Sequence, residues 1–139
     1  MSRKNRKITI LLVDDQKRDR DAVRSTLEAV GYAVLETADY HQTVRVHEQR
    51  RAEIRLLLTA IALPGNNGYE LAKTVFRTDP NVKVLFVSGP TGAEVSRFYN
   101  MPVVGPHLLE KPVQSEDLLY RVNNATRSRK RQSYAQGAR

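Results

Sequence analysis

Ile8-Thr9-Ile10-Leu11-Leu12-Val13-Asp14-Asp15 is an apolar run broken only by Thr9 and ended abruptly by two aspartates. Continuous apolar runs of this length suit a strand buried on both faces of a parallel sheet. Ile54 to Leu58 and Val82 to Val87 repeat the pattern further along the chain, the latter closed by Ser88-Gly89-Pro90. Between these runs the spacing changes to that of helices. Residues 16–30 place Ala22, Val23, Leu27 and Val30 on one face and stop at Gly31. Residues 39–51 form a polar helix with Val44 and Val46 as its main apolar members, and Tyr69 to Arg77 turns Leu71, Ala72, Val75 and Phe76 inward. Tyr32 to Thr37 and Leu108-Leu109 read as shorter strands, and 91–99 as a short helix. The last helix is capped by Ser115 and carries Leu118, Leu119, Val122 and Ala125 on its inner face. Strand and helix alternating five times give an α/β fold, a five-stranded parallel sheet with helices on both faces, because each right-handed crossover must bury its apolar stripe.

The chain has 139 residues, enough for one domain, and a net charge of +8. That charge sits at the ends. Residues 1–7 carry four bases and no acid, and residues 127–139 carry five bases and no acid, so the span 8–126 is nearly neutral. The division is therefore a basic N-terminal tail (1–7), a folded domain (8–126) and a basic C-terminal tail (127–139). Such tails are commonly solvated ends; a weak contact with nucleic acid or an acidic membrane is the sharper reading, and base stacking has little support because only Tyr134 accompanies the C-terminal bases. The absence of cysteine excludes disulfides, thiolate metal sites and cysteine nucleophiles. No apolar run is long enough for a membrane span or a signal peptide, and the expected location is cytoplasmic.

In an open parallel sheet, ligands bind beyond the carboxyl ends of the strands. Those ends deliver Asp14 and Asp15, then Thr59-Ala60, then Ser88, then Lys111 followed by Pro112. Adjacent carboxylates repel and call for a cation, and a hard divalent ion such as Mg²⁺ takes oxygen ligands. A serine hydroxyl and a lysine on neighbouring strands complete the parts of a phosphoryl-transfer site: metal, hydrogen-bond donor and charge clamp. The bland alternative is a structural ion pair among Asp14, Asp15 and Lys111.

The set Leu12-Val13-Asp14-Asp15, Ile61-Ala62-Leu63-Pro64-Gly65, Asn67-Gly68, Val87-Ser88-Gly89 and Glu110-Lys111-Pro112 resembles the receiver domains of bacterial two-component response regulators over about residues 7–126. The resemblance implies a doubly wound, flavodoxin-like sheet of strand order 2-1-3-4-5. It implies that Asp15 is a direct Mg²⁺ ligand, that Asp14 acts mainly through water, and that the Ala62 backbone carbonyl completes the protein's share of the coordination. Ser88 and Lys111 would hold phosphoryl oxygens. Counting back from Pro64, the phosphoaccepting aspartate of the family falls on Ala60. The family's aromatic switch position falls on Leu108, beside His107, which puts aromatic gating in doubt.

A methyl group cannot form an acyl phosphate, and losing a third carboxylate weakens Mg²⁺ binding. Thr59 is a poor substitute because successive strand residues point to opposite faces. Either Ala60 is a deliberate Asp→Ala change in an otherwise working receiver, or phosphorylation has been lost naturally. The expected function is that of a non-enzymatic receiver in a two-component phosphorelay, acceptor-less with Ala60 in place. Its partners would be a sensor histidine kinase or phosphotransfer protein and an output protein. A homodimer could form through the 91–126 face, where 100–106 is rich in proline and apolar residues. The alternatives are a phosphorylation-independent binding module and a nucleic-acid-associated adaptor acting through the tails.

Overall fold

A computed structural model of the chain describes residues 7–89 and 107–128. Five parallel strands, β1 (Thr9–Val13), β2 (Ala33–Thr37), β3 (Ile54–Ala60), β4 (Lys83–Ser88) and β5 (Leu108–Glu110), form one sheet of order β2-β1-β3-β4-β5. Four helices are described: α1 (Lys17–Ala29), α2 (Tyr40–Arg50), α3 (Gly68–Thr78) and α4 (Ser115–Arg127), with a 3-10 turn at Arg51–Glu53. The helix expected over 91–99 and the segment 100–106 lie outside the described residues.

The central strands alternate between two cores. Ile10, Leu12, Leu56, Leu58, Leu85 and Val87 pack with Val23 and Leu27 of α1 and Leu118 and Val122 of α4. Leu11, Val13, Leu57, Val84 and Phe86 pack on the opposite face with Leu71, Ala72 and Val75 of α3. Burying both faces explains why these strands are apolar at nearly every position, and each fully buried leucine contributes about 1.5–3 kcal/mol. The sheet is thus doubly wound, as its pattern predicts.

Local chemistry sets the ends of the elements. Gly31 adopts φ +102° after α1, its N–H donating to the Glu28 carbonyl at 3.0 Å while that of Tyr32 reaches the Leu27 carbonyl at 3.2 Å. This Schellman arrangement needs a left-handed residue, which glycine supplies. Asp39 caps α2 by accepting from the Gln42 N–H at 2.8 Å, and Asn67 caps α3 by accepting from the Glu70 N–H at 2.7 Å.

Three expectations from periodicity need correction. Val30 is 55 % exposed and Ala22 is also exposed, because α1 has already ended at Ala29 and only Val23 and Leu27 of that stripe are buried. Ser115 is the first helical residue of α4 and makes no cap; the helix begins on the Gln114 carbonyl, which accepts from the Leu118 N–H at 2.9 Å. In α2 the buried residues are Thr43 and His47, with Val44 and Val46 half-buried against the core. Their polar groups are satisfied in place: the Thr43 and Thr37 hydroxyls bond at 2.7 Å, and His47 Nε2 meets Asp79 Oδ2 at 3.2 Å.

Candidate active-site cleft

The carboxyl ends of β1, β3, β4 and β5 open into a cleft of about 280 Å³ lined by Asp14, Asp15, Gln16, Ala60, Ala62, Leu63, Pro64, Val87, Ser88, Gly89 and Lys111. The cleft therefore gathers every residue that the sequence assigns to the site except Leu108. Leu108 is half-buried on β5, opposite Phe86 in register and packed against the core that holds α3. Thr59 does not line the cleft. It is fully buried, and its hydroxyl donates to the Ala60 carbonyl at 2.9 Å.

Asp14 is fixed from several sides. Its N–H donates to the Thr37 carbonyl at 3.2 Å, its own carbonyl accepts from Arg20 Nη1 at 2.7 Å, and its Oδ1 accepts from the Gln16 N–H at 2.9 Å. Arg20 is held in turn by Glu36 at 3.0 Å. The carboxylate is buried at 5 % exposure, whereas Asp15 next to it is exposed. This difference leaves Asp15 accessible to a ligand from solution.

Lys111 is the cation of the cleft. Its Nζ lies 3.1 Å from Asp14 Oδ2 and 2.8 Å from Asp19 Oδ2. Burial alone would push the ammonium down, but the carboxylates of Asp19 and Asp14 outweigh it and hold its pKa above the usual lysine value. Its backbone N–H donates to the Ser88 carbonyl at 3.1 Å, which ties β5 to β4 at the rim. The buried Ser88 hydroxyl donates to the Gly89 carbonyl at 3.2 Å. The floor is Ala60, 5 % exposed, directly under the N-terminus of α3. Gly68 starts that helix with its N–H on the Ile61 carbonyl at 2.7 Å. Beside β5, burial and the Arg121 guanidinium push His107 below the ordinary histidine range.

Sequence reasoning missed Asp19 and Arg20. Asp19 looks like a favourable acid in the first turn of α1, and Arg20 like one of several charges on an outer face. Their partners, Lys111 and the Asp14 carbonyl, are supplied by folding rather than by neighbours in the chain.

Residues 10–123 match the model of the response regulator receiver domain. The chain belongs to the response regulator receiver family. The aerobic respiration control protein ArcA of Escherichia coli (strain K12) is 31% identical over 118 residues, covering 83% of this chain and 47% of ArcA. The response regulator receiver protein CpdR of Brucella abortus (strain 2308) is 30% identical over 111 residues, covering 79% of this chain and 89% of CpdR. This chain thus spans about half the length of ArcA but most of CpdR. Among solved structures, a response regulator receiver protein from Sinorhizobium medicae WSM419 superposes with a TM-score of 0.74 at 26% identity, covering 89% of this chain and 98% of that one. Receivers are signalling modules of two-component systems that interact with sensor histidine kinases and output domains and generally bind Mg²⁺ at the acidic pocket. Among the described residues no helix is long and apolar enough to cross a membrane.

Proposed function

We propose that this receiver, with Ala60 at the phosphoacceptor position, does not take up a phosphoryl group and is held in one state by its own ion pairs. The observation that carries the reading is the position of Lys111, which sits on Asp14 at 3.1 Å and Asp19 at 2.8 Å above an alanine floor. With a methyl group at 60 there is no carboxylate at the acceptor position to attack a phosphoryl donor, and the Thr59 hydroxyl donates to a backbone carbonyl. The chain is then a binding module rather than an enzyme, working in the cytoplasm. It would engage the same classes of partner as its family, a histidine kinase or phosphotransfer protein on one side and an output protein on the other. The dimer face over 91–126 falls partly outside the described residues; of its described part, Tyr120 on α4 stands 69 % exposed.

Mg²⁺ fits the donor set only in reduced form. The carboxylates of Asp15 and Asp14 and the Ala62 carbonyl are hard oxygen donors of the right kind. Among the described residues no group of three acidic, histidine or cysteine side chains is placed to hold a metal, and Lys111 competes for Asp14. When bound, the ion would neutralise charge on an incoming phosphoryl group. Asp15 and Asp14 would hold it, while Ser88 and Lys111 would contact phosphoryl oxygens and Leu108 would stand at the switch position.

The test incubates this chain and an Ala60→Asp variant with Mg²⁺ and acetyl phosphate and reads intact mass. The variant alone should gain one phosphoryl group. If the parent chain gains it too, another residue is the acceptor and the acceptor-less reading fails. If neither does, the cleft is not arranged for phosphoryl transfer, and the chain is a binding module by architecture rather than by loss of one carboxylate.

A further inference from the structure

The acidic cleft occupies one pole of the sheet, and the opposite pole is basic. There, at the N-terminal ends of β3 and β4, a second cleft of about 530 Å³ is lined by three bases, Arg51, Arg55 and Lys83, and one acid, Asp79, with Thr78 and Asn81 beside them. Arg51 is anchored through Nη1 to the Thr78 carbonyl at 3.4 Å. Arg55 is exposed on β3, and Lys83 opens β4 opposite Leu56, the residue after Arg55. Burial and the Arg55 guanidinium push the Lys83 ammonium below the usual lysine value. Bringing two like charges together here has a cost that an anion in the cleft would relieve. Asp79 in the lining contacts His47 Nε2 at 3.2 Å, and Glu53 nearby pairs with Arg50 at 2.7 Å, so the three bases outnumber the one acid of the cleft.

Both basic tails also leave the domain here. Lys7 stands two residues before Thr9, whose register partners are Ala33 and Ile54, and Ser128 itself lines the cleft. The sequence attached at these points carries Arg3, Lys4 and Arg6 on one side and Arg129, Lys130, Arg131 and Arg139 on the other, without an acid. We propose that the cleft of Arg51, Arg55 and Lys83 at this pole binds the phosphodiester backbone of nucleic acid. A strand of phosphates suits a concave cleft that offers guanidinium, amide and hydroxyl groups. A lipid surface is planar and rewards apolar insertion, whereas among the described residues the large exposed apolar side chains are Val30 and Tyr120 alone. The proposal stands apart from the acceptor-less reading, since it uses none of the acidic-cleft residues.

The experiment is fluorescence anisotropy of the full chain with a labelled mixed-sequence duplex about 20 base pairs long, between about 50 and 200 mM salt, with anionic phospholipid vesicles in parallel. Binding should weaken by about tenfold or more across that range as counterions are released. The double variant Arg51→Glu/Arg55→Glu should bind about tenfold or more weakly at the lowest salt. Should that variant lose its fold by circular dichroism, Arg55→Gln is read instead, and its salt slope should be shallower by about 1. Absence of DNA binding at low salt, vesicle binding without DNA binding, or unchanged binding by the cleft variants would each overturn the proposal.

Discussion

Gly68→Ala offers a test in which two physical effects predict opposite signs. Gly68 is the first residue of α3, and its φ is not positive, so the backbone accepts any side chain. Helix propensity alone would make alanine better by about 0.5–1 kcal/mol. Sterics say otherwise, because a Cβ built there would stand 2.2 Å from the Ala60 carbonyl oxygen, 3.1 Å from the Ala60 carbonyl carbon and 3.2 Å from the Ile61 Cα. A carbon–oxygen contact needs about 3.3 Å, so backbone must move by about 1 Å. The movement also pulls on the 2.7 Å bond from Gly68 N–H to the Ile61 carbonyl. Overpacking costs about 1–3 kcal/mol and a weakened buried hydrogen bond about 1 kcal/mol more. After the propensity gain is subtracted, a net loss of about 1–3.5 kcal/mol remains. For a domain of this size that lowers Tm by roughly 4–14 °C. Thermal and urea melts followed by circular dichroism would measure it. Gly31→Ala is the useful comparison: nothing lies within 4 Å of its Cβ, so only the φ of +102° is charged, about 1–2 kcal/mol. A Gly68→Ala protein that melts at or above the parent would refute the argument that α3 is pressed against the Ala60 carbonyl.

Lys111→Met leaves the buried Asp14 carboxylate without its cation. Breaking such a pair costs about 3–5 kcal/mol when fully buried; with Lys111 21% and Asp19 46% exposed, about 1–3 kcal/mol is expected. The pKa of Lys111 is raised on folding, so its stabilisation is complete below the unfolded value of 10.5 and is lost as pH rises through the folded value. The stability gap between parent and variant should therefore be full at pH 7–9 and close at more alkaline pH; a gap independent of pH in urea titrations would count against the ion pair. Asn67→Ala removes the side-chain cap on the Glu70 N–H and should cost about 1 kcal/mol in the same titrations, whereas an unchanged midpoint would mean that water replaces the cap without loss.

The parts of the fold that were legible in the sequence are those enforced by local pattern. The run Ile10 to Val13 must be buried on both faces, and Gly31 marks where a helix stops. The order of strands was not legible in the residues themselves and came from family likeness. The position of the site followed from the same logic, since Asp14, Ala60, Ser88 and Lys111 are each the last or next residue of a strand, and parallel strands end together. What periodicity could not supply was side-chain partnership across the chain. Asp19 meets Lys111, Arg20 meets the Asp14 carbonyl, and His47 meets Asp79. None of these is a neighbour in sequence, and a charged residue on a helix gives no local sign of whether water or a distant partner will satisfy it. The same limit explains α2, whose buried Thr43 and His47 read as surface residues until their hydrogen bonds are seen.

Lys7 leads into β1 and Ser128 lines the cleft at the N-terminal ends of β3 and β4, whereas the acidic cleft opens at the other end of the sheet, a strand's length of about 20 Å away. Whatever is attached to either end of this domain, by nature or by fusion, starts on the far side from Asp15 and Lys111. A tag or cargo joined at Lys7 or Ser128 therefore begins about a strand's length from the acidic cleft.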